Sequence, residues 1–109
     1  MVSCFCIGCF SLDKPSKEVM INIIFRIKND KLSNITIDYR LKDIDLKPIK
    51  FNILYEFVSK HNGRYCIMVD YEIEHIPEKR IYVGSDEHYS FEKKGNQWFG
   101  WKGWGPGEW

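Results

Sequence analysis

The segment RYCIMVDYEIEHI, residues 64–76, alternates between two sets of side chains. One set has five core-type residues: Tyr65, Ile67, Val69, Tyr71 and Ile73. A period of two residues is typical of a β-strand with one buried face. The other set begins with Cys66 and Met68 and ends with three carboxylates at Asp70, Glu72 and Glu74. We therefore expect a β-sheet that buries one face and shows charge on the other.

These three carboxylates are the strongest functional signal in the sequence. Side chains on the same face of a strand are about 7 Å apart, so the three acids repel one another unless positive groups or a partner lie nearby. Residues 65–92 hold seven Asp and Glu against two Lys and Arg, although the net charge of the chain is only +1. Asp86 and Glu87 would extend this acidic surface on a neighbouring strand.

Two interpretations of the acidic surface are open. In the first, it is a solvated sheet face balanced by basic residues of an N-terminal hairpin: Arg26, Lys28, Arg40 and Lys42. In the second, it is a docking surface for a basic protein, where complementary charge speeds the encounter and disfavours wrong partners.

The N-terminal half predicts two strands and one helix. Residues 18–28 and 35–42 both alternate with a period of two, and the turn-forming residues between them indicate an antiparallel hairpin. Residues 48–61 carry apolar side chains at helical spacing: Phe51, Leu54, Tyr55 and Val58. Pro48 suits a first helical turn and Asn62-Gly63 suits a helix end, but a long hairpin turning at Asn62-Gly63 competes with this helix.

The C-terminal third predicts further strands. Residues 79–84 indicate a short strand, and residues 87–101 indicate a last hairpin turning near residues 94–96. The predicted fold is α+β, with an antiparallel sheet of about five to six strands and one helix in the order ββαβββ. The whole chain, residues 1–109, is expected to be one domain. Residues 2–10 are a candidate for an extra strand, and residues 102–109 form a tail rich in Trp and Gly.

All four tryptophans lie in the last twelve residues. Trp98, Phe99 and Trp101 belong to the last predicted strand, where we expect them to close the core. Trp104 and Trp109 lie beyond that strand, so they either dock back onto the domain or contact a partner. Trp is strongly enriched at binding hot spots, which makes both residues candidate partner contacts.

Three of the four cysteines form a C-x-C-x-x-C pattern at Cys4, Cys6 and Cys9. Thiolates bind zinc and copper(I), which makes these residues weak candidates for a metal site. Because apolar residues alternate with them, they also suit a buried strand in which Cys is a small apolar residue. A disulfide framework would usually spread its cysteines along the chain, so this cluster indicates reduced thiols and a cytoplasmic protein. We expect no cofactor.

Several other classes are disfavoured by composition and motifs. A pI near 7.7 is lower than expected for a general nucleic-acid binder. The sequence has no run of about eighteen apolar residues for a membrane span. It also has no phosphate-binding loop, nucleophile elbow or HExxH motif, so we expect that it is not an enzyme.

In its size, its α+β sheet with an acidic face and its lack of active-site signatures, the chain resembles the small, Ile-, Lys- and Asn-rich immunity proteins that bacteria encode beside contact-dependent or polymorphic toxins. The resemblance implies an antitoxin that inhibits its partner by protein–protein interaction. The leading hypothesis is a cytoplasmic protein that occludes a basic toxin nuclease, with the acidic residues as phosphate mimics. The alternatives are an aromatic binding module for single-stranded nucleic acid or carbohydrate, or a small Cys-metal protein. An exposed edge strand could also pair two copies of the chain.

Overall fold

The computed structural model describes residues 14–38 and 45–105, which form one helix followed by five strands. The elements are α1 at Lys17–Asp30, β1 at Asn34–Asp38, β2 at Leu46–Val58, β3 at Tyr65–His75, β4 at Arg80–Lys94 and β5 at Gln97–Lys102. The strands make one antiparallel sheet in the order β1-β5-β4-β3-β2. This confirms an antiparallel α+β fold with one helix among the described residues, but that helix precedes the strands, so the order ββαβββ is wrong.

Residues 18–28, which we predicted to be a strand, lie in α1. Seven of its eleven residues are apolar, so the segment satisfies the helical spacing as well as the alternation, with Met20, Ile23, Ile24 and Ile27 on one stripe. The Ser16 hydroxyl accepts a hydrogen bond from the Val19 amide at 3.1 Å and caps the first turn. Lys31 adopts the left-handed conformation, with φ of 56°, and ends the helix.

Residues 48–61, which we predicted to be a helix, lie mostly in β2, so this prediction is also wrong. The competing hairpin at Asn62-Gly63 is the one that forms, since β2 pairs antiparallel with β3. The Ser59 hydroxyl accepts hydrogen bonds from the amides of His61 and Asn62 inside the turn. Gly63 has φ of +74°, which a side chain would disfavour. Pro48 is tolerated because β2 is an edge strand.

The predicted N-terminal hairpin does not form, because its first strand is helical. Instead β1 pairs with the last strand, β5, and places Ile37 opposite Trp98. Residues 39–44, which include Arg40 and Lys42, lie outside the described residues. The two strands expected within residues 79–94 are one strand, β4. The last hairpin is confirmed, with its turn at residues 95–96 between β4 and β5.

Helix α1 covers one face of the sheet and forms the hydrophobic core with it. The alternating residues of β3 supply the centre of this core, as the sequence predicted: Tyr65, Ile67, Val69, Tyr71 and Ile73. Gly100 on β5 lies against Ile23, so close that a Cβ there would overlap the isoleucine side chain. No helix within residues 14–38 and 45–105 is long and apolar enough to cross a membrane. The sheet face opposite α1 is the open face.

Candidate functional site

The strand register sorts the residues of the open face into rows that run across β2, β3 and β4. Two rows each contain a lysine, a glutamate and an aliphatic residue: Lys47, Glu74 and Ile81 in one, and Lys50, Glu72 and Val83 in the other. Side chains that neighbour one another in such a row are about 5 Å apart. We call these six residues the charged end of the open face.

The aliphatic residues of the charged end are unusually exposed. Ile81 is 52% exposed and Val83 is 61% exposed. They lie in the first half of β4, whereas β5 pairs only with the second half, from Tyr89 to Lys94. Large apolar side chains grouped on a solvent-facing sheet mark a surface that a partner can cover.

Glu72 and Glu74 lie on the open face, as the acidic ladder predicted, but their basic neighbours are different from those we expected. Lys50 is opposite Glu72 and Lys47 is opposite Glu74, both on β2. Lys28 is on α1, beyond the other face of the sheet, and so cannot balance these carboxylates. The same applies to Arg26, which is also on α1.

Asp70, the third member of the ladder, supports the backbone of the neighbouring strand. Its Oδ1 atom accepts a hydrogen bond from the Asp86 amide at 2.8 Å. That amide belongs to a β-bulge in which Ser85 and Asp86 together oppose Asp70. Asp86 has φ of +51° in this bulge, and its side chain is exposed.

The bulge changes the phase of β4, so Glu87 points away from the acidic surface that we predicted for it. Its Oε1 atom accepts hydrogen bonds from the hydroxyls of Tyr71 at 2.7 Å and Tyr89 at 2.5 Å. Its Oε2 atom is 2.9 Å from Lys28 Nζ, which reaches across from α1. Glu87 therefore joins the sheet to the helix, and the structure does not bring it together with Glu72 and Glu74.

The surroundings of Glu87 keep it ionised. Burial alone would raise its pKa, but the hydrogen bonds from Tyr71, Tyr89 and Lys28 outweigh that effect and hold the pKa below its ordinary value. Burial, together with the hydrogen bond to Glu87, raises the pKa of Tyr71 and of Tyr89. Both hydroxyls thus remain neutral donors. On β2, the hydrogen bonds from Tyr65 and Lys14 lower the pKa of Glu56.

The other end of the open face is aromatic, and Trp104 docks on it. The indole ring stacks on His88 with 4.2 Å between ring centroids, and it meets Phe57 edge to face at 4.8 Å. Trp104 Nε1 donates a hydrogen bond to the Ile67 carbonyl at 2.8 Å. The Asn62 side chain donates to the Trp104 carbonyl at 3.2 Å. Of the two alternatives for this residue, the structure shows the docked one.

The tryptophans of β5 lie on opposite faces of the sheet. Trp98 is 5% exposed and belongs to the core, as expected. Trp101 and Phe99 pack together on the open face, so they do not close the core under α1. The Arg64 guanidinium covers one face of the Trp101 ring at 3.6 Å. Arg64 and Trp101 thus extend the aromatic end around Trp104.

Two sets of predicted site residues lie outside the described residues: Trp109, and the cysteines Cys4, Cys6 and Cys9. The fourth cysteine, Cys66, is buried on β3. Within the part of the chain that the structure describes, no group of three or more His, Cys, Asp and Glu side chains could hold a metal ion.

Sequence reasoning missed four members of the charged end: Lys47, Lys50, Ile81 and Val83. The lysines were missed because β2 was interpreted as a helix, which removed them from the sheet. Ile81 and Val83 were missed because every residue in IYVG is apolar or Gly, so no alternation shows which side chains face solvent. The competing hairpin alone would not have placed both lysines correctly, because two β-bulges in β2 shift its pairing with β3 before Lys50 meets Glu72 and Lys47 meets Glu74.

The chain was compared with known proteins at the level of family, sequence and structure, and no family model, curated protein or solved structure matches it.

Proposed function

We propose that this protein is a small binding protein that neutralises a partner protein by covering its functional surface. The observation that carries the proposal is the charged end of the open face, where Ile81 and Val83 are more than half exposed beside Glu72 and Glu74. Protein interfaces commonly combine a buried apolar centre with a polar rim. The charged end brings both kinds of side chain together on one sheet face, with the aliphatic residues on β4 and the charged residues on β2 and β3.

The two kinds of side chain contribute differently to binding. Burial of Ile81 and Val83 supplies affinity, at about 1.5–3 kcal/mol for each aliphatic side chain that becomes fully covered. Glu72 and Glu74 orient the partner and raise the association rate. Lys47 and Lys50 offset part of their charge, so we expect the acids to select a partner with matched basic groups rather than any polycation.

The partner that fits this surface best is a basic protein, and more specifically we propose a bacterial toxin nuclease. Glu72, Glu74 and the exposed Asp86 would pair with Lys and Arg side chains that otherwise hold phosphates. An immunity protein of this kind would act in the cytoplasm by occlusion, without catalysis of its own. Asp70 and Glu87 support the fold of this surface in our proposal and do not contact the partner.

We do not put forward the aromatic binding module as a second function. A groove of about 430 Å³ beside Tyr55 and Trp104 does remain open. However, the three tryptophans that such a module would use to stack on bases or sugars already have contacts within the chain: Trp98 in the core, Trp101 under Arg64 and Trp104 on His88. The Cys-metal alternative rests on cysteines outside the described residues and stays a prediction.

The first experiment is copurification of the tagged full-length chain from its native host at low and at moderate salt. We expect one basic protein in near-equimolar amount, and we expect that protein to be toxic when it is expressed alone and harmless when both are expressed. Recovery of nucleic acid or glycan alone, or a partner whose activity is unchanged by binding, would contradict the proposal.

Variants then test the surface itself. The double substitution Glu72→Lys with Glu74→Lys should weaken binding of that partner by more than about tenfold, because like charges then face each other across the interface. The control is Glu92→Lys, which makes one charge reversal of the same kind on the open face outside the charged end. Equal binding by the double variant and the control would remove Glu72 and Glu74 from the interface.

A further inference from the structure

Three lysines line a cavity of about 320 Å³ at the place where α1 ends beside β5. Lys28 is in the last turn of α1, Lys31 is the residue that ends the helix, and Lys102 is the last residue of β5. The other described residues that line the cavity are apolar: Ile27 and Leu32. No carboxylate within residues 14–38 and 45–105 lines it, so the cavity wall is positively charged.

Backbone hydrogen bonds bring these lysines together. The Leu32 amide donates to the Ile27 carbonyl at 2.9 Å and closes the end of the helix. The Lys102 amide donates to the Ser33 carbonyl at 2.9 Å, which joins the end of β5 to the segment that follows α1. The fold therefore places the lysines around one cavity, although Lys102 is far from the other two in the sequence.

Only one of the three ammonium groups has a carboxylate partner in the part of the chain that the structure describes. Lys28 Nζ is 2.9 Å from Glu87 Oε2. Lys31 and Lys102 make no ion pair with any described residue. Two like charges beside one cavity repel each other, and an anion between them would relieve this repulsion.

The end of a helix can account for some of this charge without a ligand. Lysines at a helix C-terminus interact favourably with the negative end of the helix dipole, which is sufficient to explain Lys28 and Lys31. It does not explain Lys102, which comes from another element. Lys102 is on the α1 side of β5, because Trp98 and Gly100, two and four residues before it, pack under the helix.

We propose that this cavity binds the phosphate group of a small phosphate monoester, with Lys31 and Lys102 as its ligands. Such a group carries about two negative charges at neutral pH, which matches the two lysines that have no carboxylate partner. Lys is a common phosphate-binding residue. Ile27 and Leu32 provide an apolar wall for the organic part of the ligand. The cavity volume is near the lower limit of ligand pockets, about 300 Å³, so a small molecule fits it best.

The phosphate site is independent of the proposed function. It lies on the α1 side of the sheet, whereas Glu72 and Glu74 lie on the open face. Binding of a small molecule is measured on the purified chain alone, and the proposed function is measured with a protein partner. Either can therefore fail without the other.

The test is titration of the full-length chain with phenyl phosphate, measured by calorimetry and by amide NMR. The ionic strength is held constant with chloride, because salt screens the charges of exposed lysines. We expect saturable one-to-one binding, with the largest amide shifts at residues 27–32 and at Lys102. Benzoate keeps the ring but has one negative charge, so it should bind at least about tenfold more weakly.

Lys31→Gln and Lys102→Gln should each weaken phenyl phosphate binding by about tenfold, because each removes a hydrogen bond between charged groups. Both lysines are exposed, so the variants should keep the fold, which circular dichroism checks. The matched control is Lys17→Gln, which makes the same charge change in the first turn of α1 and should bind as the wild-type chain does.

Four results would overturn the proposal. The first is the absence of saturable phenyl phosphate binding into the millimolar range. The second is equal binding of benzoate, since the site would then not select phosphate. The third is an equal loss of binding in Lys17→Gln, since net charge alone would then control it. A short single-stranded oligonucleotide provides the fourth: if it shifts the same amides and phenyl phosphate does not, the lysines contact nucleic acid instead.

Discussion

Close packing at single residues decides how α1 sits on the sheet. Gly100 faces Ile23, and the helix can approach β5 at this point because glycine has no Cβ. Within the sheet, Gly84 on β4 leaves room for the ring of Tyr71, its cross-strand partner on β3. Ile23 and Tyr71 are both almost completely buried, so neither can move aside without disturbing the core.

The substitution Gly100→Ala tests this contact. We expect it to lower the free energy of unfolding by about 2 kcal/mol, because the added methyl overlaps Ile23 in a closely packed core. Urea denaturation provides the measurement. In an Ile23→Ala background, which removes the overlapping atoms, the same substitution should cost almost nothing. Equal costs in both backgrounds would show that the two residues are not in contact.

At the scale of elements, residues 103–105 act as a strap across the aromatic end of the open face. The Gly103 amide donates to the His88 carbonyl at 2.7 Å, and the Ser90 hydroxyl donates to the Gly103 carbonyl at 2.8 Å. Gly105 has φ of +98° and lies against Asn62 and Arg64. The strap therefore joins β4 to the turn between β2 and β3, with Trp104 as its anchor.

Removal of the anchor should destabilise the whole domain. We expect Trp104→Ala to lower the free energy of unfolding by about 2 kcal/mol, less than for a fully buried tryptophan because Trp104 is only partly buried. Trp104→Phe keeps a ring over His88 but loses the hydrogen bond to Ile67, and should cost about 1 kcal/mol. Urea denaturation followed by circular dichroism measures both, with Val83→Ala as the control at an exposed position outside the aromatic end. Unchanged stability of Trp104→Ala would mean that the strap does not dock in solution.

At the scale of the whole molecule, Glu87 couples the stability of the domain to pH. Its pKa is lowered in the folded protein from an ordinary value of 4.5, so the folded state favours the carboxylate. The resulting stabilisation is present above about pH 4.5 and is lost as the pH falls through the lower pKa of the folded state. Tyr71 and Tyr89 have raised pKa values, so their contribution is lost instead as the pH rises above about 10.

We therefore expect the free energy of unfolding to decrease as the pH is lowered below about 4.5. Glu87→Gln should reduce this pH dependence. At neutral pH the same substitution should cost about 2 kcal/mol, because a charge-assisted hydrogen-bond network is lost between the helix and the sheet. Urea denaturation from pH 3 to 7 measures both effects, at pH values on either side of the ordinary Glu pKa. Glu92→Gln is the control, and an identical pH dependence for the two variants would contradict the assignment to Glu87.

The sequence by itself determined those elements whose pattern of apolar and polar residues fits only one kind of secondary structure. In β3 the polar residues Asp70, Glu72 and Glu74 interrupt the apolar run at every second position, so a strand with one buried face was predictable. The last hairpin was predictable too, because Gly95 lies between two strand patterns. The open position of Glu72 and Glu74 follows directly from the alternation of β3.

Where the sequence of a segment was compatible with two kinds of secondary structure, the tertiary structure selected one of them. Residues 18–28 fit both a helix and a strand, and the packing of their apolar side chains against the sheet selects α1. Residues 48–58 fit both as well, and pairing with β3 selects β2, which brings Lys47 and Lys50 to the carboxylates. The inward turn of Glu87 depends on one extra residue in β4, the bulge at Asp86, which contacts Asp70 16 residues away. These outcomes depend on contacts between residues that are far apart in the sequence, so the hydrophobic periodicity of a short segment cannot predict them.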